Sequence, residues 1–359
     1  MEKILRAAIE KGASDLHIKA GDVFRARING QLIPITKQVV APEQTRQIAA
    51  QLIPNEKDRQ HIDRISDYDC SWGIQGLGRF RVNILRQRGS FSIVLRIIPM
   101  DIPTFEQLNL PQTLPQVCSE ERGLVLVTGA TGSGKTTTQA SMIGHINQQF
   151  KKHIVTLEYP IEYLHRDLSC SVTQRDVGND TVSFQTGLRA ALRQDPDVIL
   201  IGEMRDTETI DTAVKAAETG HLVISTLHTR DSVTTISRIV SVFPPEEQEM
   251  LRIRLAETLK AVISQRLLPR ADGNGRILAC EILVVTPAVR DCILDPKRID
   301  EVMGLMEEGR VQYGMQTFDQ HLMELVRQGL VTYDVAKIYA TNPADFELQM
   351  RTLAGDRLV

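Results

Sequence analysis

Gly129-Ala-Thr-Gly-Ser-Gly134-Lys135-Thr136 carries the clearest chemistry in the chain. The spacing G-x-x-x-x-G-K-[ST] suits a loop that wraps a polyphosphate. Its glycines let backbone N–H groups turn inward around anionic oxygens, and a helix opening at Lys135 adds partial positive charge. Lys135 would neutralise the β- and γ-phosphates, and Thr136 would offer its hydroxyl to Mg2+. The expected contacts of ATP are therefore Gly129, Thr131, Gly132, Ser133, Gly134, Lys135, Thr136 and Thr137.

Further acids and bases follow in order. Val198-Ile-Leu-Ile-Gly202-Glu203 is an apolar strand ending in one carboxylate, the Walker B arrangement, so Glu203 is expected to hold the magnesium hydration shell. Thr156-Leu-Glu158-Tyr159-Pro160-Ile-Glu162 places two carboxylates after another strand, where one can orient and deprotonate an attacking water. Solvated loop acids would look the same. His221 and His228 flank the run Leu222–Leu227. Seven residues apart and without a nearby cysteine, they suit phosphate sensing or a structural hydrogen bond better than a metal. Arg79, Arg81, Arg86, Arg88 and Arg96 crowd one hairpin, while Arg189 and Arg193 precede Asp195. Each group is either an exposed charged face or a source of guanidinium forks for a γ-phosphate.

Elements able to hold these residues can be read from periodicity. Residues 1–10 have apolar side chains at 4, 5, 8 and 9, as an amphipathic helix does. Alternation marks strands at Leu16–Lys19, 24–33, Gly78–Leu85 and Phe91–Ile98, with Asn29-Gly30 as a hairpin turn and a helix at 41–51. This is a small α+β domain, 1–98. Prolines at 99, 103 and 111 punctuate an expected linker, 99–112. From there to 285, apolar runs at Leu124–Thr128, Ile154–Leu157, Val198–Ile201 and Leu222–Thr226 read as buried parallel strands between helices. Residues 286–359 read as helical, with Asn342-Pro343 as an N-cap and a first-turn proline.

Composition narrows the class. The 359 residues suit about two domains, and 42% hydrophobic with 24% charged residues is ordinary for a globular protein. A net charge of −3 argues against a nucleic-acid partner. Five scattered cysteines, with no C-x-x-C pair, read as reduced core residues. No apolar run approaches the ~18 residues of a membrane span, so a cytoplasmic or membrane-peripheral protein is expected.

Together, GATGSGKT at 129–136, LEYPIE at 157–162, DPDVILIGEMRD at 195–206 and AAETGHLVISTLHT at 216–229 resemble the secretion ATPase superfamily, the hexameric motors of type II secretion and type IV pili. Gly12-Ala-Ser-Asp-Leu-His-Ile18 and Gly314-Met-Gln-Thr-Phe-Asp319 extend the likeness over nearly the whole chain. Within the superfamily the chain resembles the pilus retraction ATPases, the PilT/PilU group, since it lacks both an extra N-terminal domain and a tetracysteine zinc module. The resemblance implies a PAS-like domain over 1–98, a RecA-like P-loop core over 113–285 and a helical C-terminal region over 286–359. It implies ATP between two domains, a homo-hexamer, a platform protein at the inner face of the cytoplasmic membrane, and a sister retraction ATPase as a further partner.

The same resemblance makes Glu162 the catalytic glutamate, with Glu158 beside it, Glu203 the Walker B acid, and His221 and His228 the histidine box. Arg189 and Arg193, with Arg81 and Arg96, match arginines that reach the nucleotide. Two departures stand out. Tyr159 replaces the aspartate of the usual Ile-Glu-Asp-Pro-Ile-Glu, and Ala288-Val-Arg-Asp-Cys-Ile-Leu-Asp295 keeps only part of the retraction motif. The first bears on the rate of hydrolysis, and the second favours an accessory retraction motor. The other readings are an assembly or secretion ATPase, a nucleotide-binding regulator with weak turnover, and a DNA motor that the charge disfavours.

Overall fold

The computed structural model describes residues 1–28, 30–98 and 101–354. Its described residues form two compact units. One takes in Met1–Ile102 together with Glu158–Leu164 and Arg175–Val182, and the other Pro103–Leu157, His165–Gln174 and Ser183–Val359.

The first unit is built on an antiparallel sheet of β1 (Asp15–Lys19), β2 (Arg25–Ile28), β3 (Gln31–Pro34), β4 (Asp67–Ile74), β5 (Gly78–Gln87) and β6 (Ser90–Ile98), in the order β3-β2-β1-β6-β5-β4. Alternate residues separate its faces. Phe80, Val82 and Ile84 of β5 and Phe91, Ile93 and Leu95 of β6 are buried with Leu5, Ala49 and Leu52 of the helices Glu2–Glu10 and Pro42–Leu52. Each such aliphatic side chain contributes ~1.5–3 kcal/mol by leaving water. Ile28 opposes Gln31, as a two-residue turn requires; Gly30 adopts φ +80°, and Asn29 lies outside the described residues.

The second unit carries a seven-stranded sheet of β7 (Gly123–Gly129), β8 (His153–Glu158), β9 (Ser171–Asp176), β10 (Val198–Ile201), β11 (Leu222–Leu227), β12 (Leu259–Pro269) and β13 (Arg276–Val284). The order is β13-β12-β7-β11-β10-β8-β9. β12, β7, β11, β10 and β8 run parallel, while β13 is antiparallel to β12. β7 shows why such strands read as unbroken apolar runs. Leu124 and Leu126 pack on one face with Ile210, Val214 and Ile239, whereas Val125 and Val127 pack on the other with Met142, Ile143 and Ile146. Helices cover both faces, giving the RecA-like α/β arrangement.

Two sequence expectations change. Of the expected linker, Pro99 and Met100 lie outside the described residues; Phe105 and Leu110 are core residues of the second unit, packed with Ile143 and Ile146. The 259–284 stretch holds the pair β12–β13, which sequence periodicity did not show. Residues on both faces of β12 are buried, so period-2 alternation disappears. Beyond 286 the chain is helical, and Asn342 Oδ1 accepts from Ala344 N–H (3.1 Å) at the start of Pro343–Ala354. Gly314–Asp319 is an edge clamp: Gln316 bridges Ile282 through both backbone groups, and its Nε2 donates to Cys280 O (2.8 Å). All five cysteines are free and buried.

Candidate functional site

The phosphate loop leaves the end of β7. Gly129 has φ +141°, and a Cβ there would come within 2.5 Å of Ser133 Oγ and 2.6 Å of Gln265 O, so only glycine fits. Gly134, at φ +94°, is the left-handed N-cap of the helix Lys135–Gln149. Lys135 is buried, with Nζ donating to Gly129 O (2.8 Å) and Ala130 O (3.1 Å). Burial lowers its pKa from the ordinary lysine value, opposed by the Glu203 carboxylate. Ser133 Oγ is buried without a hydrogen-bond partner. An orphan hydroxyl, a buried ammonium and a glycine cradle at a helix N-terminus fit a polyphosphate and its Mg2+. Thr131 and Gly132 are exposed on the loop, and Thr136 and Thr137 half-buried on the first turn.

Two supports escaped the sequence reading because they come from β12. Thr128 Oγ1 donates to Ser264 Oγ (2.9 Å) just before the loop, and Gln265 Nε2 donates to Thr138 Oγ1 (2.6 Å) just after it. One strand thus clamps both ends.

The same edge of the sheet receives the second acid. Ile201 lies level with Ser225 and Leu157, and Leu227 with Thr128, so these strands finish side by side. Glu203 follows β10 and His228 follows β11. Glu203 Oε2 is 2.8 Å from Arg205 Nε and 3.7 Å from His228 Nε2. Thr226 Oγ1 donates to Gly202 O (2.6 Å), tying the two strand ends together.

His221 is not brought there. It precedes β11 at the edge where the strands begin, its backbone carbonyl accepting from Gly123 N–H, with Nδ1 2.9 Å from Ala216 O. Six strand residues lie between the histidines, and the seven steps from one to the other span roughly 23 Å. Arg189 and Arg193 have other partners in this chain. They lie on and just after the helix Phe184–Ala191, which leads into the starting end of β10. Arg189 pairs with Glu208, and Arg193 donates to Arg189 O (3.0 Å). In this chain alone, His221 sits at the edge opposite the phosphate loop, whereas Arg189 reaches the first turn of the helix Thr207–Glu218, which follows Glu203.

Glu158 and Glu162 group with the first unit. Glu158 ends β8 and is buried; Glu162 is half-exposed, with Oε1 3.8 Å from Arg81 Nη1. Arg81 opposes Ser71 and Arg96, and Arg96 opposes Asp15, forming one polar row across the sheet. Arg96 Nε donates to Asp15 Oδ1 (3.0 Å). Burial raises the Asp15 pKa, but the Ser14 hydroxyl and Arg96 more than offset it, leaving the group below its ordinary value. Tyr159 is exposed and borders a cavity of about 170 Å³ with Arg81, Asp176 and Gly178. Asp176 was not anticipated: it is 3% exposed and accepts from Ile161 N–H at 3.1 Å, one residue before Glu162.

Comparison with known proteins agrees with this geometry. Residues 1–346 match the family model described as type II/IV secretion system protein. The type IV pilus ATPase PilU of Pseudomonas aeruginosa is 43% identical over 98% of this chain and 91% of its own length. The type IV pilus retraction ATPase PilT of the same organism is 42% identical over 96% and 99% respectively. A crystal structure of the pilus retraction motor PilT with bound ADP superposes with a TM-score of 0.90 at 44% identity, covering 97% of this chain and 99% of that one. The chain belongs to the type II/IV secretion system protein family.

Proposed function

We propose that this protein is an ATPase motor that hydrolyses ATP to power retraction of a type IV pilus, working as an accessory, PilU-like motor. The observation that carries the reading is the convergence of Lys135, Glu203 and His228 on one sheet edge around a glycine cradle. The likeness to PilU and PilT over nearly the full chain supplies the physiological setting.

In this reading Gly129–Thr137 wraps the phosphates, with Lys135 exchanging its loop carbonyls for phosphate oxygens. Thr136 and Glu203 are the residues that would hold Mg2+, whose chemistry is to neutralise charge developing on the β- and γ-oxygens. His228 reads the occupancy of that edge through Glu203. Glu162 orients and deprotonates the attacking water, Glu158 supports it, and Arg81 and Arg96 supply guanidinium charge. Arg189 and Arg193 reach the nucleotide, and His221 is the second member of the histidine box. The working form is a homo-hexamer at the inner face of the cytoplasmic membrane, acting on a platform protein together with a sister retraction ATPase. The first unit is its PAS-like domain. Among the described residues no helix is long and apolar enough to cross a membrane.

The test is phosphate release by purified protein with ATP and Mg2+, beside a Lys135→Ala control. Release well above the control is expected, and none above it would sink the motor reading. Tyr159 favours a second reading, a nucleotide-binding regulator, and that outcome would select it. Pilus retraction in cells lacking this protein but keeping a sister ATPase then separates a retraction role from an assembly role.

A further inference from the structure

The turn that follows β9 does work that the ATPase chemistry above does not assign. Both oxygens of Asp176 are engaged. Oδ2 accepts from Ser71 Oγ (3.0 Å) and Ile161 N–H (3.1 Å) and faces Arg79 Nη2 at 3.4 Å, while Oδ1 accepts from Asn179 Nδ2 (2.9 Å). The next residue, Val177, donates its N–H to Glu158 O (2.8 Å). This turn therefore grips the acid loop at both ends of Tyr159-Pro160, and the second grip falls on the residue before Glu162. The turn is itself closed, because Asp180 Oδ2 accepts Asp176 N–H (2.8 Å) and Asp180 N–H returns to Asp176 O (2.8 Å).

Arg79 and Arg81 are two apart on β5 and share a face. Arg79 meets the buried Asp176, and Arg81 meets the half-exposed Glu162. A carboxylate only 3% exposed that accepts from four donors is an anchor. A carboxylate one-third exposed at 3.8 Å is free to exchange partners. The apolar core of this unit is built by the other face of β5, through Phe80, Val82 and Ile84, so the network is separate from what holds the sheet together.

We propose that Asp176 is the positioning residue for Glu162: it ties the acid loop to Ser71 and Arg79 and sets where the Glu162 carboxylate points. This rests on the reading of Glu162 as the group that orients the attacking water. Asp176 touches no reacting atom, so its effect falls on turnover and not on nucleotide affinity.

The experiment uses full-length protein, with phosphate release for turnover and titration of a fluorescent ATP analogue for affinity. Asp176→Ala is expected to lower kcat about 10–100-fold, the scale of a displacement near 1 Å in a catalytic group, with analogue affinity unchanged. Asp176→Asn keeps acceptors for Ile161 and Ser71 and is expected to recover part of the loss. Single-turnover hydrolysis by Asp176→Ala/Glu162→Gln is expected to match Glu162→Gln alone, since a missing base cannot be misplaced. Wild-type turnover in Asp176→Ala, or a loss that adds in full to that of Glu162→Gln, overturns the proposal. Wild-type turnover in Glu162→Gln instead overturns the underlying reading of Glu162. Should Asp176→Ala fail to fold by circular dichroism, Ser71→Ala and Asp176→Asn carry the test: each is expected to slow turnover severalfold, and wild-type rates in both overturn it.

Discussion

The loops at 129–136 and 158–164 both follow parallel strands of one sheet, yet they are held by opposite strategies. The phosphate loop is shaped by its own backbone: glycines at φ +141°, +79° and +94°, a helix start, and a lysine folded onto carbonyls five and six residues away. The acid loop contains no glycine. Its shape is imposed by Asp176, which in turn depends on Ser71 and Arg79, 105 and 97 residues distant. A binding site for a common, rigid anion can be encoded locally. A group that must be aimed at one water needs a scaffold from elsewhere in the chain.

The largest effects test whether the two loops divide binding from chemistry. Lys135→Ala is expected to cut phosphate release by at least about 10²–10³-fold and to weaken nucleotide binding as well. Glu162→Gln is expected to lower turnover by about 10²–10⁴-fold while binding persists. If Glu162→Gln lost affinity alongside turnover, the division would break. Glu203→Gln should fall between them, with a raised Mg2+ requirement in the same assay.

Stability measurements sharpen the comparison at smaller scale. Gly129→Ala forces a Cβ into Ser133 Oγ and Gln265 O at a positive φ, whereas Gly178→Ala meets only Tyr159 Cε2 at 3.8 Å and is strained by its φ of +95° alone. Urea unfolding should show a loss of about 1–2 kcal/mol for Gly178→Ala and a larger one for Gly129→Ala. Equal losses would mean that the phosphate loop is not tightly clamped by β12.

A pH-dependent effect concerns the start of the helix Ser232–Ser241. Glu281 of β13 is buried and accepts Ser232 N–H at 2.7 Å with Oε1, while Oε2 lacks a partner. Burial pushes its pKa up to about 7. The folded protein then binds more protons than the unfolded chain between the ordinary glutamate value and about 7, so this group's contribution to stability declines as pH rises through that window. Glu281→Gln should flatten that decline, worth at most about 3 kcal/mol, in urea unfolding compared at pH 5 and pH 8. An unchanged pH slope would remove Glu281 as its source.

Much of the second unit was legible because its strands β7, β8, β10 and β11 are covered on both faces and stand out as apolar runs. β12 and β13 were not, since Lys260, Gln265, Arg266 and Glu281 interrupt the run and find their partners only in the folded sheet. The histidines teach the complementary lesson. The family resemblance groups them in one box, but an extended strand carries His221 and His228 to opposite edges of the sheet.

Local chemistry alone specified the phosphate loop, the acid after β10, the parallel α/β core and the family, because each depends on residue types at short separations. Only tertiary structure decided that Asp176 sets the acid loop, that β12 clamps the phosphate loop from both sides, and that Arg81 faces Glu162 while His221 lies at the other end of β11 from His228. Those outcomes depend on strand order and register, which join residues up to 136 positions apart, as at Thr128 and Ser264. Contacts at that range leave no periodic trace along the chain.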